Sequence, residues 1–387
     1  MLKLRRARVV SAQPVTGPEQ ELTAILDAEQ APREAIADVN LVGPCQVDDE
    51  VVVNVQARDL GLGSGGFDIV HVNLTRGLSG EDTPGTNVMK LNYTSLQHAV
   101  ATVDDERLRL PLEHPVGVLA LHGQLAAVAW AFAQAAPGRR LGYVQSGGGA
   151  LPGGHSRAVA ALRSGGLLAG HLTAGAAYGG EGEAVTTAGA LHYGLRTLGW
   201  DAALCGPGPG IVGSNSPLGH GGMAALDSAH AALALGAPTL LVARMSSGDP
   251  RVRHRGISHH TLTVLDLLLE PVTVALPAGM RSPVGNDLRA GLGAVFGVSA
   301  TSRRQLELDV DRPARIARHD WRRAVVDLPA YASSALPAQT MGRGLTEDPL
   351  FFGAALAAGV ALADLLAQDD GRAHDDHRQG VSSATIR

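Results

Sequence analysis

From about residue 115 onward, strand-length apolar runs alternate with Ala/Leu-rich stretches of helical length, and this alternation most restricts the fold. PVGVLALHG leads into QLAAVAWAFAQAA, RRLGYVQSGGG into SRAVAALRSG, and LLAGHLTAG into EAVTTAGALHYGLRTLG. WDAALCGPGPG then leads into GMAALDSAHAALALG, PTLLVARM into SHHTLTVLDLLLE, and PVTVALP into NDLRAGLGAVFG. Strands separated by helices of this length form parallel βαβ units, and runs apolar on both faces belong to a sheet covered on both sides. The expected fold class is α/β, a doubly wound and mostly parallel sheet. A hydrophobic content of 45% supplies the core, and 3% aromatics with 49 glycines imply Ala, Val and Leu packing with many tight turns.

Ahead of that pattern, residues 1–88 predict a small all-β, barrel-like domain. Short β-rich runs (RARVVSA, ELTAILD, DEVVVNVQA, FDIVHVNL) are separated by turn signals such as TGPEQ and GLGSGG. Phe67 is its only aromatic, so the barrel reads as a packing or oligomerisation module rather than an oligonucleotide binder. The polar stretch 74–87 reads as a linker, and Thr94 or Ser95 as the N-cap of a short helix. Residues 89–368 form the α/β domain with glycine-rich loops. Within it, 303–330 predicts an added strand pair or extension, and Thr346 the start of a helix. The charged segment 369–387, with His374 and His377, reads as a disordered tail.

Lys and Arg number 32 against 37 Asp and Glu, a net charge of −5, which gives no overall attraction to nucleic acid. Cys45 and Cys205 lie far apart, without a disulfide framework or cysteine zinc cluster, as suits a reducing cytosol. MLKLRRARVV lacks the apolar segment of a signal peptide, and no apolar run of about 18 residues is evident. The expectation is a cytoplasmic protein without a membrane partner.

In an open α/β sheet, ligands bind outside the carboxyl ends of the strands. The connections that leave those ends here are HGQ, QSGGGALPGGHS, TAGAAYGGEGE, GPGPGIVGSNSPLGHGG, RMSSGDPRVRHRGISHHTLT and PAGMRSP, and all but the first are rich in glycine, polar or charged groups. The opposite connections (APGRR, SGG, LGW, LGAP) are plain. This asymmetry puts a cleft on one edge of the sheet.

Glycine loops that enter helices offer backbone N–H groups and a positive dipole end to anions. Ser146, Gly147 and Gly148 in one loop, and Gly208, Gly210, Gly213 and Ser214 in another, are candidates. Gly208-x-Gly210-x-x-Gly213 follows the dinucleotide pattern, but Ser214 to Pro217 delay the helix and Arg244, not an acid, ends the next strand. Arg251, Arg253 and Arg255 add cations suited to phosphate or carboxylate. Ser258 predicts an N-cap for a helix opening on His259 and His260. The positive end of that helix lowers histidine pKa and favours the neutral ring. His259 and His260 are thus candidate acid/base residues, with Asp249 or Glu181 orienting them or sharing protons. His155, His171 and His220 are further candidates, and Glu183 also stands at a helix entrance. His220, His254 or His260 with Glu181 or Asp249 could hold a metal, but no spacing such as H-E-x-x-H assigns one, and no cofactor is specified. Cys205 reads as a buried core residue.

MKLNYTSLQ, GPGPGIVGSNS, DPRVRHRGISHHT and the MGRGLTEDPLFF ending together resemble a bacterial family, seen in actinobacteria and Deinococcus-type bacteria, catalogued only as a domain of unknown function. The resemblance spans nearly the whole chain and implies no catalytic residues. Where family members are similar to GTGT, this chain has Gly213-Ser214-Asn215-Ser216, which keeps hydroxyl donors and loses one glycine. The functional expectation is a site for a phosphorylated or carboxylated small molecule, with hydrolysis or group transfer as the reaction class. The rival expectations are a non-catalytic metabolite sensor and an oligomerisation protein, and a homo-oligomer fits either.

Overall fold

The computed structural model describes residues 1–62, 66–80, 84–105, 107–214, 216–278 and 312–383. Strands β1 (Leu4–Ala12), β2 (Glu19–Leu26), β3 (Pro32–Asp38), β4 (Glu50–Asn54) and β5 (Asp68–Asn73) close into a barrel in the order β1-β2-β3-β5-β4. Short helices α1 (Val39–Val42) and α2 (Gln56–Asp59) join its strands. Alternation decides which residues fill it: Leu22, Ala24 and Leu26 of β2 point inward with Val51 and Val53 of β4. A hairpin of β6 (Val88–Lys90) and β7 (His98–Val100) follows, where the sequence predicts a helix after Thr94 or Ser95. Leu91 and Tyr93 adopt positive φ there, which turns the chain back instead of winding it.

The remainder is an eight-stranded sheet ordered β11-β10-β9-β12-β8-β13-β16-β17, and all its pairings are parallel. Its strands are β8 (Val116–Leu119), β9 (Leu141–Ser146), β10 (Gly170–Ala174), β11 (Gly182–Ala184), β12 (Ala202–Pro207), β13 (Thr239–Val242), β16 (Thr273–Ala278) and β17 (Asp320–Val325). The two-residue strands β14 (Met245–Ser246) and β15 (Gly256–Ile257) pair between β13 and β16 in sequence. Helices α5 (Thr187–Arg196), α6 (Ala224–Ala234), α7 (His259–Leu267) and α8 (Arg312–Ala317) cover one face. On the other lie α3 (Leu125–Ala135), α4 (Arg157–Ser164) and the long C-terminal α10 (Pro349–Ser383). The short α9 is Leu328–Ala332. The doubly wound α/β expectation holds, with a barrel in front of it.

Three local expectations change. Glu181 and Glu183 do not enter a helix. Gly182–Ala184 pairs alongside β10 as an edge strand, and α5 begins at Thr187 behind the Thr186 cap. Of the stretch 303–330, residues 303–311 lie outside the described residues, and Asp320–Val325 extends the sheet as β17. The last helix starts at Pro349 rather than Thr346, because Asp348 turns its carboxylate onto Ser246, Ser247 and Gly248 instead of joining the helix. That helix continues to Ser383, past the boundary at 368. Its segment Pro349–Asp369 is long and apolar enough to cross a membrane, contrary to the expectation that the chain has no such run. Most of it is buried in the fold, against α3 and the sheet, and that burial accounts for its composition.

Trp200 is the largest fully buried side chain, and three glycines make its seat. A Cβ at Gly142 would lie 1.9 Å from the indole, one at Gly194 2.4 Å, and one at Gly170 2.9 Å. The seat joins β9, β10 and α5, so it sets how closely that helix approaches the sheet. Gly142→Ala is expected to destabilise the fold by about 1–3 kcal/mol or more through overpacking, and Trp200→Ala by about 3–5 kcal/mol through a cavity. Urea unfolding measures both, and a neutral Gly142→Ala would mean that the ring shifts freely.

Candidate functional site

The neighbouring strands β12, β8 and β13 send their chains to opposite faces of the sheet: β8 runs into α3 on one side, β12 and β13 into α6 and α7 on the other. Such a divergence opens a crevice at the carboxyl edge. A cleft of about 590 Å³ lies there, bordered by Leu121–Gly123 after β8, Pro209–Ser214 and His220 after β12, and the Arg244 segment after β13. Gln339, Thr340 and Met341 border it from the chain that leads to α10, where β18 (Gln339–Thr340) pairs with β19 (Arg343–Gly344).

One wall is built on Asp249, whose side chain is completely buried. Arg251 grips it with Nε at 3.0 Å and Nη2 at 2.9 Å, and its own backbone N–H also donates to the carboxylate. Arg244 Nη2 stands at 3.4 Å and Arg343 Nη2 at 3.5 Å. Burial alone would raise the Asp249 pKa, but the Arg251 bonds and charge outweigh it and hold the group well below the usual carboxylate range. Arg343 also donates to Asp348 at 3.1 Å, so two buried carboxylates and three arginines tie the β13–α7 loop to the C-terminal segment. Burial first, then the neighbouring charges of Arg251 and Arg343 against those of Asp249 and Asp348, pushes Arg244 down to about 10. It remains a cation at neutral pH.

Beside this wall stands a cluster of four histidines. His220 stacks on His260 with ring centroids 3.4 Å apart, His254 lies 4.8 Å from His260, and His259 lies 4.4 Å from His260 and 4.9 Å from His254. Ser258 caps α7, accepting from the His260 N–H, and its hydroxyl meets His254 Nδ1 at 2.7 Å. Arg244 Nη1 donates to His260 Nδ1 at 2.9 Å, which places the proton of a neutral His260 on Nε2. The imidazoles are held neutral: His254 at about 3 and His259 at about 4, by burial first and then by the arginines, with His260 lowered further. Burial and the neighbouring cations, not the end of α7, account for these shifts. Both His220 nitrogens and His259 Nε2 are buried without a hydrogen bond; the Pro217 carbonyl favours a charged His220 without meeting bonding geometry.

The residues singled out from the sequence divide accordingly. Gly210, Gly213, Ser214, Arg251, Arg253 and His260 border the cleft, with His259 and Ser258 behind them. Arg255 turns its Nε to the Asp249 carbonyl and does not line it. Gly148 and Gly208 serve packing: a Cβ at Gly148 would lie 2.7 Å from the Gly221 carbonyl, and one at Gly208 2.3 Å from that of Ala150, whereas Ser146 is buried at the end of β9 and Gly147, which borders open space, does not line the cleft. The two glycine loops are therefore thin because they pack on each other. Glu181 is elsewhere, bound to Arg163 Nε at 2.6 Å on the β10–β11 loop, and Asp249 is held by its arginines. Cys205 is buried, which pushes its thiol up to about 12.

Four participants lie outside the sequence reading. Met341 and Arg343 come from a segment about 90 residues downstream, and no local pattern announces the pairing. His122 and Ser156 form a buried pair, Nε2 to Oγ 2.6 Å, beside the same cleft. His122 Nδ1 faces the Pro207 carbonyl at 3.2 Å, so Nε2 accepts from the serine hydroxyl. HGQ after β8 is the signal that points there.

Residues 34–359 match the family model described as "Protein of unknown function (DUF3866)". The chain belongs to this family. The match begins inside β3 and ends inside α10, so it takes in β4, β5, most of β3, the whole parallel sheet and the cleft, and leaves out β1 and β2. A search of the curated proteins finds no match. The family description carries no activity, so the chemistry rests on the residues themselves.

Asp249→Asn should cost about 3–5 kcal/mol in urea unfolding, because it strands buried cations. A loss below about 1 kcal/mol would mean that water already screens them. A second outcome concerns pH. Burial pushes His122 and His171 down to about 4, so between pH 4 and the ordinary imidazole value near 6.5 the unfolded chain binds more protons than the folded one. Stability therefore rises with pH through this window and falls on acidification. His171→Phe, which keeps the ring stacked on Tyr143, should reduce the slope by up to about 1.4 kcal/mol per pH unit. An unchanged slope would put that titration elsewhere.

Proposed function

We propose that this chain binds a small anionic molecule, phosphorylated or carboxylated, in the cleft beyond β12, β8 and β13. One observation carries the reading. Arg244, Arg251 and Arg253 border the cleft with four histidines, and no carboxylate is among the described residues that line it. Asp249 lies behind Arg244 and Arg251 and fixes their direction, Asp348 holds Arg343, and the net field stays positive. A planar guanidinium held by a carboxylate loses little freedom on meeting an oxyanion. Hydrolysis or group transfer is the reaction class we favour, with His260 Nε2–H as donor to the ligand and the buried Ser156–His122 pair beside the cleft as nucleophile and base. The free, buried cysteines support placement in a reducing compartment.

A non-catalytic sensor is the second reading, and the β9–α4 loop favours it. That loop packs on the cleft loop through Gly148 and Gly149, and on the barrel through Gly154 against Pro18 and Arg157 against Glu21 at 2.7 Å. An occupant of the cleft can therefore bias the seating of the barrel.

Thermal and urea unfolding with inorganic phosphate, pyrophosphate and phosphorylated metabolites, in the presence of a chelator, tests the binding. Stabilisation of about 2.7 kcal/mol is expected at a ligand concentration of 100 times Kd. Arg253→Ala should weaken binding about tenfold or more while the fold stays intact. Saturable binding without turnover selects the sensor. If no anion stabilises the chain, or Arg253→Ala binds as well as the parent, the anion reading fails.

A further inference from the structure

We propose that His254, His259 and His260 form a site for a divalent transition-metal ion of the zinc class, with its open coordination position facing the cleft. Each ring offers a nitrogen, and the three nitrogens lie within 4.8 Å of one another. Bonds of about 2.05 Å at tetrahedral angles need ligand atoms about 3.3 Å apart, which small χ rotations supply. An all-imidazole donor set suits zinc, cobalt, nickel or copper, and it does not suit magnesium or calcium, which take oxygen ligands.

Hydrogen bonds already sort the ring nitrogens. His254 Nδ1 is engaged by Ser258 Oγ at 2.7 Å, the outer-shell pattern of metal-bound histidines, so Nε2 is its ligand atom, and the long contact that Arg253 Nε makes to it at 3.5 Å is given up on loading. His259 Nε2 is buried with no hydrogen bond, and so are both nitrogens of His220, which is more than nine-tenths buried and stacked on His260. A nitrogen lone pair sealed from water without a donor is the state that a metal relieves.

His260 differs. Arg244 donates to its Nδ1 at 2.9 Å, whereas a neutral imidazole that ligates through Nε2 carries its proton on Nδ1. Loading therefore breaks the Arg244–His260 contact, replaces the Nε2–H donor role of the metal-free cleft by ligation, and turns that guanidinium toward the open position. Asp249 keeps hold of the same guanidinium at 3.4 Å. Three protein ligands and one open position make a catalytic type of site rather than a closed structural one. Arg244, Arg251 and Arg253 disfavour a bare cation beside them, so an anion in the open position completes the charge balance. The metal inference nevertheless stands on its own donor set and does not require the anion reading.

The test uses the full chain, untagged and carrying His374→Ala and His377→Ala, stripped with chelator and titrated with cobalt(II). One equivalent should bind with visible absorption of low-coordinate cobalt, and with hyperfine-shifted ring N–H signals from three imidazoles. His254→Gln and His259→Gln should each lower the affinity about 10-fold to 100-fold, with Ser258→Ala weaker in the same direction. His171→Phe should leave binding unchanged. A folded chain that shows no saturable cobalt spectrum overturns the proposal, and so does undiminished binding by both glutamine variants. If those variants do not fold, the imidazole count from the parent chain decides, and a count of one or none overturns it. Cobalt binding without stabilisation by phosphate sinks only the anion reading, and the reverse pair of results sinks only the metal site.

Discussion

The buried carboxylate of Asp249 is the constraint on which the cleft depends. A buried charge is tolerated only when partners replace its water, and Asp249 recruits them from three places in the chain. Arg251 comes from its own loop, Arg244 from the end of β13, and Arg343 from the segment before α10. Asp348, anchored by Ser246 and two backbone N–H groups, repeats the device one layer deeper. Together they convert a sixteen-residue excursion between β13 and α7 into a rigid wall. The Arg244, Arg251 and Arg343 guanidinium groups are thereby held in fixed directions.

The same burial sets the chemistry of the histidines. Rings packed on one another and beside cations cannot take up protons at neutral pH, so they act as donors, acceptors or ligands through single nitrogens. This division leaves positive charge to the arginines and lone pairs to the imidazoles. A cleft with both is suited to an anion held between cations and a Lewis acid or hydrogen-bond donor.

The barrel is coupled to the cleft through one short segment. Residues 147–156 lie against the β12–α6 loop on one side, and on the other His155 sits between Glu19 at 3.7 Å and Asp38 at 4.0 Å of the barrel. Glycine at 148 and 149 lets the two loop backbones approach, and glycine at 154 leaves room for the Pro18 ring of the barrel. The barrel therefore shares contacts with the loop that helps to shape the cleft, and its own core of Val, Ala and Leu remains separate.

Periodicity made much of the architecture legible. Apolar runs of strand length alternating with Ala/Leu helices oblige a parallel sheet covered on both faces, because each element must bury its apolar surface against the next. The carboxyl-edge rule then placed the cleft at the Arg244–Thr263 stretch, and Ser258 as cap of a helix opening on His259 and His260 followed from local rules. What each polar residue faces was decided only in three dimensions. Arg251 and Asp249 satisfy each other, Glu181 belongs to Arg163, and the glycines at 148 and 208 answer to neighbouring backbone. Arg343 and Met341 arrive from the far end of the chain, and His220 reaches His260 across 40 residues of sequence. Helix and strand formation depends on neighbours a few residues apart, which a sequence displays. Pairing of buried charges and rings depends on which loops the sheet order brings together, and strand order is a property of the folded chain as a whole.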